Sequence, residues 1–290
     1  MEIFELRYFL GVAKNENIHR ASEELNVSPG SLSKAVSRLE DELGVSLFYR
    51  QGRGIKLTPE GFALKKRAAI IVQLEEAAKV ELSGQKGTLN VVIAAEEILH
   101  TQFGIILSEK IGKKFPHSRF QFLVRSESHV IQQVEDGEAH FGIITGEVPS
   151  GMAAKTLAKV EFKTCGSPKH SLFKKHSHSS KIPVEDVLSY PFVSPESSML
   201  GKISTSVSLD GWRDDKFPRT IRYRAGGLKT MERLVLKGFA LAYLPDYYVK
   251  DLDLVSLSVT GCPYSCHQSV KVMCRDPESL GWMKQIWGDL

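Results

Sequence analysis

Gly30, Ser33, Lys34, Ser37 and Arg38 are residue types that a DNA groove accepts. Small residues let a backbone come close, hydroxyls donate to phosphates or base edges, and Lys and Arg reach guanine acceptors or phosphates. Their spacing places them on one face of a helix whose opposite stripe is Leu32, Ala35, Val36 and Leu39. Ser28, Pro29 and Ser31 open that helix: Ser28 caps it, Pro29 takes the first helical position, and Val27 and Leu32 hold the two staple positions. Gly44 is the predicted stop. Next comes LFYRQGRGIKL (47–57), two short apolar-aromatic runs around Gly52, Arg53 and Gly54, which predict a hairpin with a basic tip. Arg50, Arg53 and Lys56 on that hairpin would flank the neighbouring phosphates as a wing. Charge by itself decides little. Residues 1–67 carry 11 basic and 9 acidic side chains, a balance that any solvated helical bundle shows.

The elements that must position these groups follow from periodicity. Leu6, Phe9, Leu10 and Ala13 recur at helical spacing, as do Ile18, Ala21 and Leu25. Two helices joined by a tight turn, the second presenting a polar face, make a helix-turn-helix. Thr58 and Pro59 then start a long helix running to about Ser83, with Leu64, Ala68, Ile71, Ala78 and Leu82 on an a/d seam interrupted at Glu75. A helix with such a seam and no other core to bury predicts a homodimer. Ser83–Gly87 is a flexible hinge. From Thr88 the texture changes to alternating strands (89–95, 120–124, 141–144, 190–194, 220–223, 240–244 and 270–273) and helices (130–134 and 228–237). That alternation predicts a mostly parallel α/β sheet, and about 200 residues predict two lobes. The expected division is 1–58, a mainly α winged helix-turn-helix; 59–87, a linker helix and hinge; and 88–290, an α/β domain. Its lobe I covers about 88–160 and 268–290, and its lobe II about 161–267.

Other candidates have blander explanations. Cys262 and Cys266 in CPYSC lack the spacing of paired zinc knuckles and are expected as ordinary thiols. His170, His176 and His178 are expected in a solvated loop, with no carboxylate or thiol interrupting the stretch. Trp212, Trp282 and Trp287 are expected in packing. VSPES, with Ser194 and Ser197, is not a nucleophile elbow. No metal, cofactor or catalytic set is therefore expected. With 42% hydrophobic and 25% charged residues and a net charge of +4, collagen, disordered and disulfide-scaffold classes are excluded. Glu2 and Glu5 stand where a signal peptide carries Lys or Arg, and no apolar run reaches membrane length, so a cytoplasmic protein is expected.

Residues 4–66 closely resemble the winged helix-turn-helix of LysR-type transcriptional regulators. The resemblance runs through FxxVA (Phe9–Ala13), RAS-EEL (Arg20–Leu25), Val27-Ser28, Leu32-Ser33, RLE–ELGVSLFYR (Arg38–Arg50) and LTPEG (Leu57–Gly61) in unbroken order. The rest of the chain is similar more loosely, LVLKGFALAYLP (Leu234–Pro245) matching a late helix-strand motif. The resemblance implies a linker helix through which subunits pair, a homodimer or homotetramer, and RNA polymerase as a partner. It also implies a C-terminal effector domain like periplasmic binding proteins. Two departures stand out. The family usually opens its recognition helix with Gln-Pro-Ala; here Pro29-Gly30-Ser31 lacks the glutamine. The family commonly follows its first effector strand with a small hydroxyl residue that binds ligand anions; here Glu96 and Glu97 follow Ala95.

A sequence-specific DNA-binding regulator answering to a small-molecule effector between two lobes is thus the leading expectation. An enzyme on a two-lobed fold would need a catalytic set in 88–290, and an architectural DNA-binding protein would show no ligand-dependent melting temperature. The effector cleft is expected at the carboxyl ends of the strands. It would be formed by Glu96, Glu97, Ser126, Glu127, Ser128, Thr145 and Gly146 from one lobe, and Ser194, Ser197, Ser198 and Gly226 from the other. Helix N-termini there favour anions. A glutamate turned inward predicts a zwitterionic or cationic effector, and a glutamate turned outward merely starts a helix.

Overall fold

The computed structural model describes residues 1–52, 54–83, 88–176, 181–199 and 208–290. Arg53 and the hinge residues 84–87 lie outside the described residues, as does His178.

The N-terminal unit forms as its sequence directs. Helix α1 (Ile3–Asn15) opens with a capping box in which the Glu2 N–H donates to Glu5. Helix α2 (Ile18–Leu25) follows, capped by Asn17. Helix α3 (Pro29–Leu43) begins at Ser28, whose Oγ accepts from the Ser31 N–H at 3.0 Å, and ends at Gly44. Strands β1 (Phe48–Gln51) and β2 (Gly54–Leu57) pair antiparallel from Phe48 opposite Leu57 to Gln51 opposite Gly54. One carboxylate oxygen of Glu40 on α3 accepts the Leu47 and Phe48 N–H groups, tying the hairpin to α3. Helix α4 (Pro59–Leu82) is capped by Thr58. A Cβ at Gly61 would lie 2.2 Å from the Leu47 carbonyl oxygen, so only glycine lets α4 pass so close to the hairpin.

The C-terminal unit holds β3 (Asn90–Ala95), α5 (Glu97–Leu99), a π-turn over 100–104, α6 (Ile105–Lys114), β4 (Arg119–Val124), α7 (Glu127–Glu135) and β5 (Phe141–Ile144). Then come β6 (Ala153–Gly166), α8 (Ser171–Lys175), β7 (Ile182–Pro183), α9 (Val184–Leu188), β8 (Phe192–Pro195), β9 (Ile221–Ala225) and α10 (Leu228–Leu236). The chain finishes with β10 (Ala242–Pro245), α11 (Asp246–Asp251), β11 (Val255–Ser256), β12 (Val259–Thr260), β13 (His267–Cys274) and α12 (Gly281–Asp289). The main sheet runs β10-β6-β13-β5-β3-β4. Strand β3 is parallel to β4 and β5, and β8 to β9, as the α/β texture predicts.

The expectation of a mostly parallel sheet needs correction at its centre. Strand β13 is antiparallel to β5 and β6, and β10 is antiparallel to β6. β6 was not foreseen, because Lys155, Lys159 and Lys163 break its apolar pattern. It spans 14 residues and pairs with β10 toward its C-terminal end and β13 along the rest, so it runs through both lobes. Buried side chains from β3, β5, β6, β10, β13, α10 and α12 form one continuous core. Trp282, 1% exposed, packs edge-on against Phe115, Phe141 and His140.

Helix α4 docks on lobe I of its own chain. Its Gln73 amide donates to the Gly137 carbonyl at 2.7 Å, Lys65 and Lys66 pair with Glu138 and Asp136, and Glu81 accepts the Gly281 N–H. On its other side, Arg7 of α1 pairs with both Glu75 and Glu76 at 2.7 Å. Two corrections follow, with the reason for the break at Glu75. Leu64, Ala68 and Ile71 pack with Leu6, Phe9 and Leu39 of the N-terminal unit, so three of the five seam residues already have a core within their own chain. Glu75 interrupts that seam because it is the partner of Arg7. His170, expected in a solvated loop, is 3% exposed and caps α8 by accepting the Leu172 N–H at Nδ1.

Candidate functional site

Two surfaces bring together residues that the sequence singled out. The first is the outer face of α3. Burying Leu32, Ala35, Val36 and Leu39 leaves Gly30, Ser31, Ser33, Lys34, Ser37 and Arg38 exposed. All of these but Gly30 line a groove with Phe4 and Tyr8 of α1, two residues the sequence reading missed. Only their position on α1, one turn apart, could have flagged them. Ser28 is engaged with Ser31 through both its N–H and its hydroxyl. Lys34 and, on the hairpin, Arg50 are exposed and have no acidic partner among the described residues. Arg38 differs: it pairs at 2.8 Å with Glu5, which is 4% exposed, and its guanidinium stacks over Phe4. Lys56 pairs with Glu16. Two of the five expected cations are thus held within the protein, and Arg53 lies outside the described residues.

The second surface is the cleft between the lobes, two adjoining spaces of about 140 and 830 Å³ that share Glu96, Val124, Ser197 and Ser198. Glu97 and Gly226 line the smaller, and Ser126, Glu127, Ser128 and Gly146 the larger. Nine of the eleven expected cleft residues therefore meet. The other two are corrected. Ser194 is 5% exposed and turns its hydroxyl to the Pro195 carbonyl. Thr145 stands behind the wall, its N–H and hydroxyl both donating to Glu127. Arg125, Glu147, Met199 and Met231 also line the cleft and were missed. Arg125 and Glu147 adjoin residues already singled out, and Met231 lies one turn into α10.

Glu96 and Glu97 take the two alternatives the sequence left open. Glu97 is exposed and begins α5 at the rim, whereas Glu96 is half-buried and faces inward. One Glu96 oxygen accepts the Glu127 N–H at 3.2 Å. Burial pushes its carboxyl up to about 7, and the neighbouring Glu127 charge adds to the rise. One oxygen of the Glu127 carboxylate accepts the N–H groups of Thr145 and Gly146 at 2.9 and 3.0 Å.

Residues 3–62 match the bacterial regulatory helix-turn-helix protein, lysR family, and residues 84–276 match the LysR substrate binding domain. The chain belongs to the LysR family of transcriptional regulators. It is 28% identical over 253 residues to the HTH-type transcriptional regulator CrgA of Neisseria meningitidis serogroup C (strain 8013), covering 84% of this chain and 80% of that one. Its fold is similar to a full-length OxyR variant from Pseudomonas aeruginosa, with a TM-score of 0.68 at 20% identity over 100% of this chain and 94% of that one. It is also similar to full-length CbnR solved with its target DNA, with a TM-score of 0.62 at 18% identity over 99% and 98% of the two chains. This LysR-type regulator thus joins a DNA-binding unit to an effector-binding one. Among the described residues no helix is long and apolar enough to cross a membrane, and no His, Cys, Asp and Glu group could hold a metal ion.

Proposed function

We propose that this regulator reads double-stranded DNA with α3, using Gly30, Ser31, Ser33, Lys34 and Ser37 in the major groove, while Arg50 and Lys56 on the hairpin follow a neighbouring phosphate strand. The observation that carries this is an exposed helix face of small, hydroxyl and lysine side chains whose opposite stripe is wholly committed to the core. Arg38 takes a secondary part, because Glu5 and Phe4 already hold it. The chain works as a homodimer or homotetramer paired through α4, in the cytoplasm and with RNA polymerase as partner. It divides near residues 58 and 87, and it has no catalytic activity of its own. Its effector occupies the cleft between the lobes, against Glu96, Ser126, Ser128, Ser197 and Gly226.

Footprinting on the DNA upstream of its own gene tests the DNA reading. The wild-type protein should protect a pseudo-palindromic site whose half-sites lie about ten base pairs apart or a multiple of that. A Lys34→Ala/Arg50→Ala variant should lose the footprint at moderate salt. An unchanged footprint from that variant would refute the assignment of these residues.

A further inference from the structure

We propose that Glu96 selects the effector, and that the group it selects is a cation, an ammonium or guanidinium, rather than a bare carboxylate. This rests on the reading of the interlobe cleft as the effector site. Glu96 is common to both halves of the cleft, so a ligand spanning them passes its carboxylate. Glu127 is already engaged: three donors from Thr145 and Gly146 converge on one of its two oxygens. Glu96 accepts one backbone N–H, and no Lys, Arg or His among the described residues pairs with it.

The charges that face Glu96 come from every element around the cleft. Glu97 stands beside it at the start of α5, Glu127 on α7, and Glu147 just beyond β5. From lobe II, Glu196 lies against Gly226. The one cation among the described lining residues, Arg125 at the end of β4, donates to the Val124 carbonyl at 2.8 Å instead. Among the described residues, five carboxylates, Glu96 included, against one arginine give the cleft a negative potential, which concentrates cations and repels anions. The donors that would hold a ligand's anionic end lie across the cleft at Gly227 and Leu228, where α10 starts with no side-chain cap. An amino acid or amine with a terminal cation fits this polarity, cationic end on Glu96.

An ionised Glu96 is the partner such a cation needs. Binding therefore releases the proton that Glu96 holds near neutral pH, and affinity rises with pH across that range. The full-length protein is titrated calorimetrically at pH 6 and pH 8 with arginine, lysine, agmatine and putrescine, and with benzoate and glutarate as anions that carry no cation. At least one of the four cations should bind. Its affinity should rise about tenfold from pH 6 to pH 8. At pH 8 it should fall about tenfold or more in Glu96→Gln, which keeps an acceptor for the Glu127 N–H but loses the charge. Far-UV circular dichroism of that variant checks its folding. Binding of benzoate or glutarate alone, binding of none of the four cations, or cation binding that Glu96→Gln leaves unchanged would each overturn the proposal. Ser128→Trp, which fills the larger space while leaving the Glu96 carboxylate in place, separates the two levels. A probe lost in Ser128→Trp but kept in Glu96→Gln leaves the cleft reading standing without its cation. A probe kept in both removes the cleft reading as well.

Discussion

Lys34 and Arg38 lie one helical turn apart on the same exposed face, yet they do different work. Lys34 has no acidic partner among the described residues, while Arg38 neutralises a buried glutamate that also closes the α1 capping box. Lys34→Ala should therefore shift preference among DNA sites and leave folding intact. Arg38→Ala should cost about 1–2 kcal/mol of stability, because it leaves the Glu5 charge buried without its cation. Urea unfolding of the two variants measures the difference, and equal midpoints would contradict it. Glu96 makes a prediction in pH. Its carboxyl holds a proton up to about 7 in the folded state and titrates near 4.5 when unfolded, so the folded chain binds more protons between those values. Stability from this group is present below pH 4.5 and is lost as pH rises through 7. His140 opposes it: its buried imidazole titrates near 4, so its contribution is lost as pH falls from 6.5 toward that value. The wild-type curve is then flattened, but the difference between Glu96→Gln and wild type is not. The ligand-free variant should gain melting temperature relative to wild type from pH 5 to pH 8, and a constant difference would show that Glu96 is not buried as described.

At the scale of elements, α7 joins the two functional surfaces. Its first residue, Glu127, donates its N–H to Glu96 in the cleft. Just past its last turn, Asp136, Gly137 and Glu138 hold α4, which carries the DNA-binding unit. Gly137 favours that junction, since its φ of +73° and its approach to Ile70 would strain a residue with a side chain. Gly137→Ala should cost about 1–2 kcal/mol and speed amide exchange in the middle of α4, while exchange in α3 stays unchanged. Protection of α4 equal to wild type would show that the docking does not depend on this turn.

At the scale of the molecule, only part of the seam read from periodicity on α4 is left exposed by its own chain. Leu64, Ala68 and Ile71 face α1 of their own chain, and Leu74, Ala78 and Leu82 remain exposed. An exposed apolar row on a helix otherwise committed within its chain is where we expect a second copy to pack. Leu74→Glu/Leu82→Glu should yield monomers in sedimentation without loss of folded structure. Ile71→Asp should unfold the N-terminal unit before it reports on assembly. An unchanged oligomer in the double variant would place the pairing surface elsewhere.

What the sequence determined by itself was local. Ser28, Thr58 and the Pro residues after them set helix starts, and the apolar stripe of α3 left one polar face outward, because caps and periodicity act within a few residues. The cleft was legible for the same reason: strand ends and helix starts are local features, and nine of the residues expected there line it. Only the tertiary structure decided the rest. Strand β6 is made by its partners rather than by its pattern, so its lysines hid it. Arg38 and Lys56 lost their freedom to acids 33 and 40 positions earlier in the chain. The phase of Glu96 and Glu97 was settled where β3 ends against α7, because a strand end can turn either way until a neighbour's N–H fixes it.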